Sequence, residues 1–191
     1  MILGIIGGIG SGKSTAADIL KNEYGYTVIG TDDTAKELMN TDPECRAKLQ
    51  EAFGEQIFRV DGTIDKEEYR KVLYSSEENK KISDAIVHPL VWKRIRDIIG
   101  KAPEKNYVIE TALPGKEFSL LCDIIWVITA NTDVRVQRLM QNRGYSEEYA
   151  RTVIEKQLSD EEMTAIGDLV IDNSGSFEEL RGFLGRAVSG S

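Results

Sequence analysis

Gly7-Gly8-Ile9-Gly10-Ser11-Gly12-Lys13-Ser14, followed by Thr15, is the string in this chain whose residue types and spacing point most directly to chemistry. It fits G-x-x-x-x-G-K-[ST] and stands between a short apolar run and a helical pattern, the setting of a phosphate-binding loop. Glycines reach backbone angles that other residues avoid, so successive N–H groups can converge on phosphate oxygens at a helix N-terminus. In such a loop Lys13 sets a point charge on the β- and γ-phosphates, and the Ser14 hydroxyl is placed to ligate Mg²⁺. The expectation is a nucleoside triphosphate held by Gly8, Ile9, Gly10, Ser11, Gly12, Lys13, Ser14 and Thr15, with magnesium.

A second cluster of carboxylates follows the second apolar run, in Val28-Ile29-Gly30-Thr31-Asp32-Asp33. This places acids at the C-terminal edge of a strand expected beside the loop strand, where open α/β sheets bind ligands. Asp32 is the candidate base for an attacking hydroxyl; the competing reading is that Asp32 or Asp33 caps the next helix. Guanine specificity is disfavoured, because the nearest approach to N-K-x-D, Asn79-Lys80-Lys81-Ile82, lacks the aspartate. Further along, Arg135, Arg138, Arg143 and Arg151 lie in a helical stretch. The plain reading of such a run is a solvated face on an ordinary helix.

The elements that would carry these groups read as an open, doubly wound α/β fold. Ile2 to Ile6, Thr27 to Ile29, Tyr107 to Ile109, Ile124 to Ile128 and Leu169 to Ile171 are continuous apolar runs. That pattern marks parallel strands covered on both faces by helices. Helix starts are predicted at Asp42-Pro43, at Asp65 with Glu68, at Ser159 with Glu162 and at Ser176 with Glu179. About 33–100 is helical in pattern, an insertion of the size that holds a second substrate, and about 132–163 reads as a mobile helical lid. The whole is expected to be one domain over residues 1–191.

Composition sets outer limits. With 191 residues the chain can bury one good core, and two independent domains are not expected. Thirty-two acidic against 24 basic side chains give a formal charge of minus eight, which disfavours nucleic acid and anionic membranes as partners. Cys45 and Cys122 are the only cysteines and have no zinc-like spacing. The N-terminus lacks the pattern of a signal peptide and no run reaches transmembrane length, so a cytoplasmic protein without an obligate protein partner is expected.

The loop GGIGSGKST, the Asp-x-x-Ala-Lys turn at Asp32 to Lys36, and Ile86-Val87-His88-Pro89-Leu90-Val91 together resemble the dephospho-coenzyme A kinase family. The resemblance continues through Gln137-Arg138-Leu139-Met140-Gln141-Asn142-Arg143, similar to the family's lid signature, through Gln157, and through Val170-Ile171-Asp172-Asn173-Ser174-Gly175. It implies a mainly parallel three-layer P-loop sheet with a helical acceptor-binding insertion and a lid. It implies transfer of the γ-phosphoryl of ATP to the ribose 3′-hydroxyl of dephospho-coenzyme A. Asp32 is then the base, Arg138 and Arg143 close over the phosphates, Asn173 lies near the adenine, and His88 belongs to the acceptor region. His88 also reads as a helix cap before Pro89.

Two departures accompany the resemblance. Many members carry an Asp-Ala-Asp turn where this chain has Gly30-Thr31-Asp32, and a Leu-Phe-Glu stretch after the third strand is replaced by Pro114-Gly115-Lys116-Glu117. They keep two competing readings open: a kinase for another small acceptor, such as a nucleoside monophosphate or shikimate, and a switch that holds ATP without transferring phosphate.

Overall fold

The computed structural model describes residues 1–190. Five strands form one sheet: β1 (Ile2–Ile6), β2 (Thr27–Gly30), β3 (Tyr107–Glu110), β4 (Ile124–Thr129) and β5 (Leu169–Asp172), in the order β2-β3-β1-β4-β5. β1 pairs in parallel with β3 and with β4, and β4 in parallel with β5. All five expected strands are present. The neighbour relation inferred for β2 is corrected: β3, not β2, lies beside the loop strand on that side. Apolar runs reveal that strands are buried but carry no information on which run pairs with which, since sheet order is fixed by crossover packing.

Residues alternate along β1 so that the sheet buries both faces. Leu3 and Ile5 join Val108, Trp126, Ile128 and Ile171 against α1 (Lys13–Tyr24) and α10 (Phe177–Ser189), which supply Ala16, Ala17, Ile19, Leu20, Leu180 and Leu184. Gly4 faces the other way, and the ring of Phe118 from α6 (Lys116–Leu121) fills the place its side chain would take. Layers of helix, sheet and helix follow, as the apolar runs imply. The remaining helices of this part are α7 (Thr132–Arg143), α8 (Glu147–Glu155) and α9 (Asp160–Thr164).

Contacts group the chain into two compact units, Met1–Ile29 with the chain from Glu104 on, and Gly30–Pro103. The second unit is built from α2 (Thr31–Thr41), α3 (Pro43–Phe53), a 3-10 turn at Glu55–Ile57, α4 (Lys66–Ser75) and α5 (Glu77–Lys101). Its only strand-like feature among the described residues is an isolated bridge between Phe58 and Ile64. Ser83, Val87, Val91, Trp92 and Ile95 form the buried stripe of α5, at the three- and four-residue spacing of a packed helix face. Tyr69 and Ser83 share a buried hydrogen bond of 2.5 Å between α4 and α5.

The expected caps form at Asp42, Asp65, Ser159 and Ser176, the last two as complete capping boxes. His88 as a cap is overturned. His88 and Pro89 both lie inside α5, which starts at Ser76 instead, where the serine side chain accepts from the Asn79 N–H. Proline has no N–H for the preceding turn. Here its helix is held from outside by α2, α3 and α4, and tertiary packing overrides the local preference. No helix among the described residues is long and apolar enough to cross a membrane.

Candidate active site

Between β1 and α1 the chain turns through Gly7 to Gly12. Gly10 and Gly12 sit at φ of 78° and 97°, the left-handed region in which a side chain is strained. Gly8 accepts twice through its carbonyl, from the Ser11 N–H at 3.2 Å and from the Lys13 ammonium at 3.2 Å. Gly12 is the N-cap of α1 and offers no capping side chain, and no acid occupies the first turn. The first N–H groups of any helix lack intrahelical partners, and here no side-chain oxygen competes for them. The result is a helix terminus suited to phosphate.

Ser14 begins this helix beside the end of β3. Its hydroxyl donates to Glu110 Oε1 at 2.9 Å. Sequence reasoning missed Glu110, although an acid closing the third apolar run was available as a signal. Two oxygen ligands of this kind, a hydroxyl and a carboxylate, suit a hard cation such as Mg²⁺, which takes its other ligands from phosphate and water. The donor set therefore fits the metal expected of the loop.

The segment after β4 grips the loop from behind. Arg135 is 4% exposed; its Nε donates to the Ile9 carbonyl at 2.9 Å, Nη1 faces Asp160 at 3.4 Å and Nη2 reaches Gln157 Oε1 at 3.4 Å. Gln157 Oε1 also accepts the Ile9 N–H at 2.6 Å. Burial pulls the Arg135 guanidinium below its ordinary pKa, and the Asp160 carboxylate opposes the shift. Arg138 donates from Nη1 to the carbonyls of Gly10 and Ser11 at 3.3 Å, and from Nη2 to that of Asn173 at 2.8 Å. Asn173, itself buried, donates its amide to the Ser11 carbonyl at 2.7 Å. Ile9 packs its side chain on Val136, Leu139 and Ala150.

The structure thus separates the arginines named from sequence. Arg135 and Arg138 hold loop carbonyls. Arg151 pairs with Asp133 and Glu147, each at 2.9 Å, on a solvated face. Arg143 is exposed in the last turn of α7 and has no protein hydrogen bond or ion pair among the described residues.

In the second unit, Asp32 and Asp33 lie in the first turn of α2, whose N-cap is Gly30 without a side-chain cap. Neither aspartate caps. Asp33 pairs with Lys36 at 2.8 Å, whereas Asp32 is exposed and has no protein partner among the described residues. His88 points its Nε2 toward Asp84 Oδ1 at 3.5 Å, with both side chains 53% exposed.

Comparison with known proteins comes to the same family as the motifs. Residues 1–179 match the family model described as dephospho-CoA kinase. A protein named dephospho-CoA kinase from Corynebacterium glutamicum is 32% identical over 182 residues, covering 93% of this chain and 90% of its own. Among solved structures, TT1252 from Thermus thermophilus superposes with a TM-score of 0.83 at 27% identity, covering 100% of this chain and 97% of that one. A dephospho-CoA kinase from Campylobacter jejuni gives a TM-score of 0.72 at 22% identity over 98% of this chain and 95% of its own, a likeness of fold.

Proposed function

The chain belongs to the dephospho-CoA kinase family, and from that premise we infer that it transfers the γ-phosphoryl of ATP to the ribose 3′-hydroxyl of dephospho-coenzyme A, giving coenzyme A and ADP. The observation that carries the reading is the uncapped start of α1 behind a glycine loop, with Lys13 on one side and the Ser14–Glu110 pair on the other. Lys13 and the loop N–H groups neutralise the phosphates as charge spreads over the transferring oxygens. Ser14, whose hydroxyl donates a hydrogen bond to Glu110, would hold Mg²⁺, which when bound would offset the charge of the phosphates.

Asp32 is the proposed base, supported by its exposed and unpaired carboxylate at the start of α2 while Asp33 is occupied by Lys36. Arg143 is the better candidate of the two lid arginines for direct contact with phosphate, because Arg138 is already engaged with three carbonyls. Arg138 then acts by keeping the loop in shape, and Asn173 shares that task beside its proposed place near the adenine. His88 on α5 is proposed to meet the acceptor. The cytoplasm is the proposed location.

A panel of acceptors in an ADP-release assay with ATP and Mg²⁺ tests the reading. Dephospho-coenzyme A is expected to give the highest kcat/KM, with nucleoside monophosphates and shikimate far below it. A higher value for either alternative acceptor would replace this reading, and tight ATP binding with no transfer to any acceptor would favour the switch.

A further inference from the structure

Both backbone polar groups of Ile9 are used before any ligand arrives. The N–H donates to Gln157 Oε1 at 2.6 Å and the carbonyl accepts from Arg135 Nε at 2.9 Å. These groups belong to the peptides on either side of Ile9. The Gly8–Ile9 peptide is held at its carbonyl as well, by the Ser11 N–H and the Lys13 ammonium, so the Ile9 N–H stays facing the segment that follows α8, while the Ile9–Gly10 peptide is held at its carbonyl by Arg135. We propose that Arg135 is a positioning residue of the phosphotransfer reaction: its buried guanidinium fixes the Ile9 carbonyl and joins the nucleotide loop to the start of α9.

Three further observations support this. The guanidinium occupies the space a side chain at Gly8 would need, and the Arg135 backbone stands against Gly10, so two of the loop glycines are fitted around this one residue. Asp160, the first residue of α9, faces Nη1, and Gln157 faces Nη2, so every arm of the guanidinium has a partner, one from the loop and two from the α8–α9 segment. The side chain is buried while its charge is only partly matched, since Asp160 is 43% exposed and stands 3.4 Å away. Burying a guanidinium is costly unless it is well paired. A methionine or leucine would fill the same volume without that cost, so stability alone does not account for an arginine here. Its forked donors do, because they tie a loop carbonyl, an amide oxygen and a carboxylate at once.

Arg138 differs in kind. It bonds carbonyls of the loop and of Asn173 but no side chain of α8 or α9. The hydrogen bonds of Arg135 and Gln157, with the packing of Ile9 on Ala150, connect the loop to the α8–α9 segment, and that makes the loop conformation sensitive to where this segment lies.

The inference rests on the loop being the nucleotide site, and the two are separable: ADP binding by the unaltered protein tests the site, and the variants test Arg135. The experiment measures the ADP dissociation constant by calorimetry, KM for ATP and for dephospho-coenzyme A separately, and the melting temperature, for Arg135→Lys, Arg135→Met, Gln157→Leu and Gln157→Glu. Arg135→Met and Gln157→Leu are expected to weaken ADP binding about tenfold or more, as loss of a hydrogen bond to a charged or buried group does. KM for ATP should rise with it while KM for dephospho-coenzyme A stays within about twofold, a split that a merely structural role would not produce. Gln157→Glu keeps an acceptor for the Ile9 N–H and gains a charge facing Arg135, and so should bind ADP close to the original protein. Arg135→Lys keeps one donor and should fall between. Should Arg135→Met fail to fold, Arg135→Lys and Gln157→Leu carry the comparison. ADP affinity unchanged in those two variants, or both KM values rising together in step with lost melting temperature, would overturn the proposal.

Discussion

Asp32 and Asp33 are adjacent carboxylates in one helical turn, yet their surroundings give them different uses. Lys36 neutralises Asp33 at 2.8 Å across one turn, an exposed pair of small energetic consequence. Asp32 is exposed and has no such partner among the described residues. Asp32→Asn is expected to lower kcat about a hundredfold or more, the scale of a lost general base, while ADP binds as before. Asp33→Asn should stay within a few-fold. Steady-state kinetics of the two variants with calorimetry on ADP decide it, and equal losses in both would remove Asp32 from the role. Sequence could nominate the pair but not choose between them, because the choice depends on which side chain the helix brings to Lys36. Glu110, and the particular task of Arg135 among the four arginines, are not legible for a related reason: each matters through a partner about 100 or more residues away, Ser14 for the one and Ile9 for the other. Arg143, by contrast, was named from its place in a motif, and the structure leaves its guanidinium uncommitted.

At the scale of elements, the starts of the helices divide into two groups. α3, α4, α5, α7, α8, α9 and α10 begin with a side chain that accepts a backbone N–H. α1, α2 and α6 begin at glycine with no such acceptor, and these are the first helices after β1, β2 and β3. Capping is local chemistry spelled in three or four consecutive residues, which is why Asp42, Asp65, Ser159 and Ser176 were readable from sequence. Pro89 was misread because its helix survives through contacts that no local window contains. Ser176 gives a measure of what a cap contributes: its hydroxyl accepts from the Glu179 N–H at 3.3 Å, and Glu179 returns to the Ser176 N–H at 2.7 Å. Ser176→Ala should cost about 1 kcal/mol. Urea denaturation should show the loss as a lower midpoint with an unchanged slope, and an unchanged midpoint would mean that α10 is held by Leu180 and Leu184 alone.

For the whole molecule, the two cysteines happen to report on the two compact units, Cys122 in the one that carries the sheet and Cys45 in the other. Burial pushes the Cys122 thiol up to about 12 and the Cys45 thiol up to about 11. The folded protein keeps protons that the unfolded chain releases near the ordinary cysteine pKa of about 8.5. The stabilisation from these two thiols is therefore complete below that pH and declines as pH rises toward 11 and then 12. At neutral pH little thiolate exists in the folded state, which slows alkylation of both thiols until the chain opens. Cys122 is half-buried, with Sγ against Gly4 of β1, the strand that leads into the nucleotide loop, whereas Cys45 is fully buried. ADP at about a hundredfold over its dissociation constant stabilises the protein by about 2.7 kcal/mol, which should slow the labelling of Cys122 that proceeds through opening of the sheet by up to about a hundredfold. Cys45, in the unit without the loop, should be slowed less. Mass-spectrometric counting of labelled peptides separates the two sites. If saturating ADP leaves the Cys122 rate unchanged, its half-buried thiol is labelled without opening of the sheet; if both rates fall equally, the two units unfold as one.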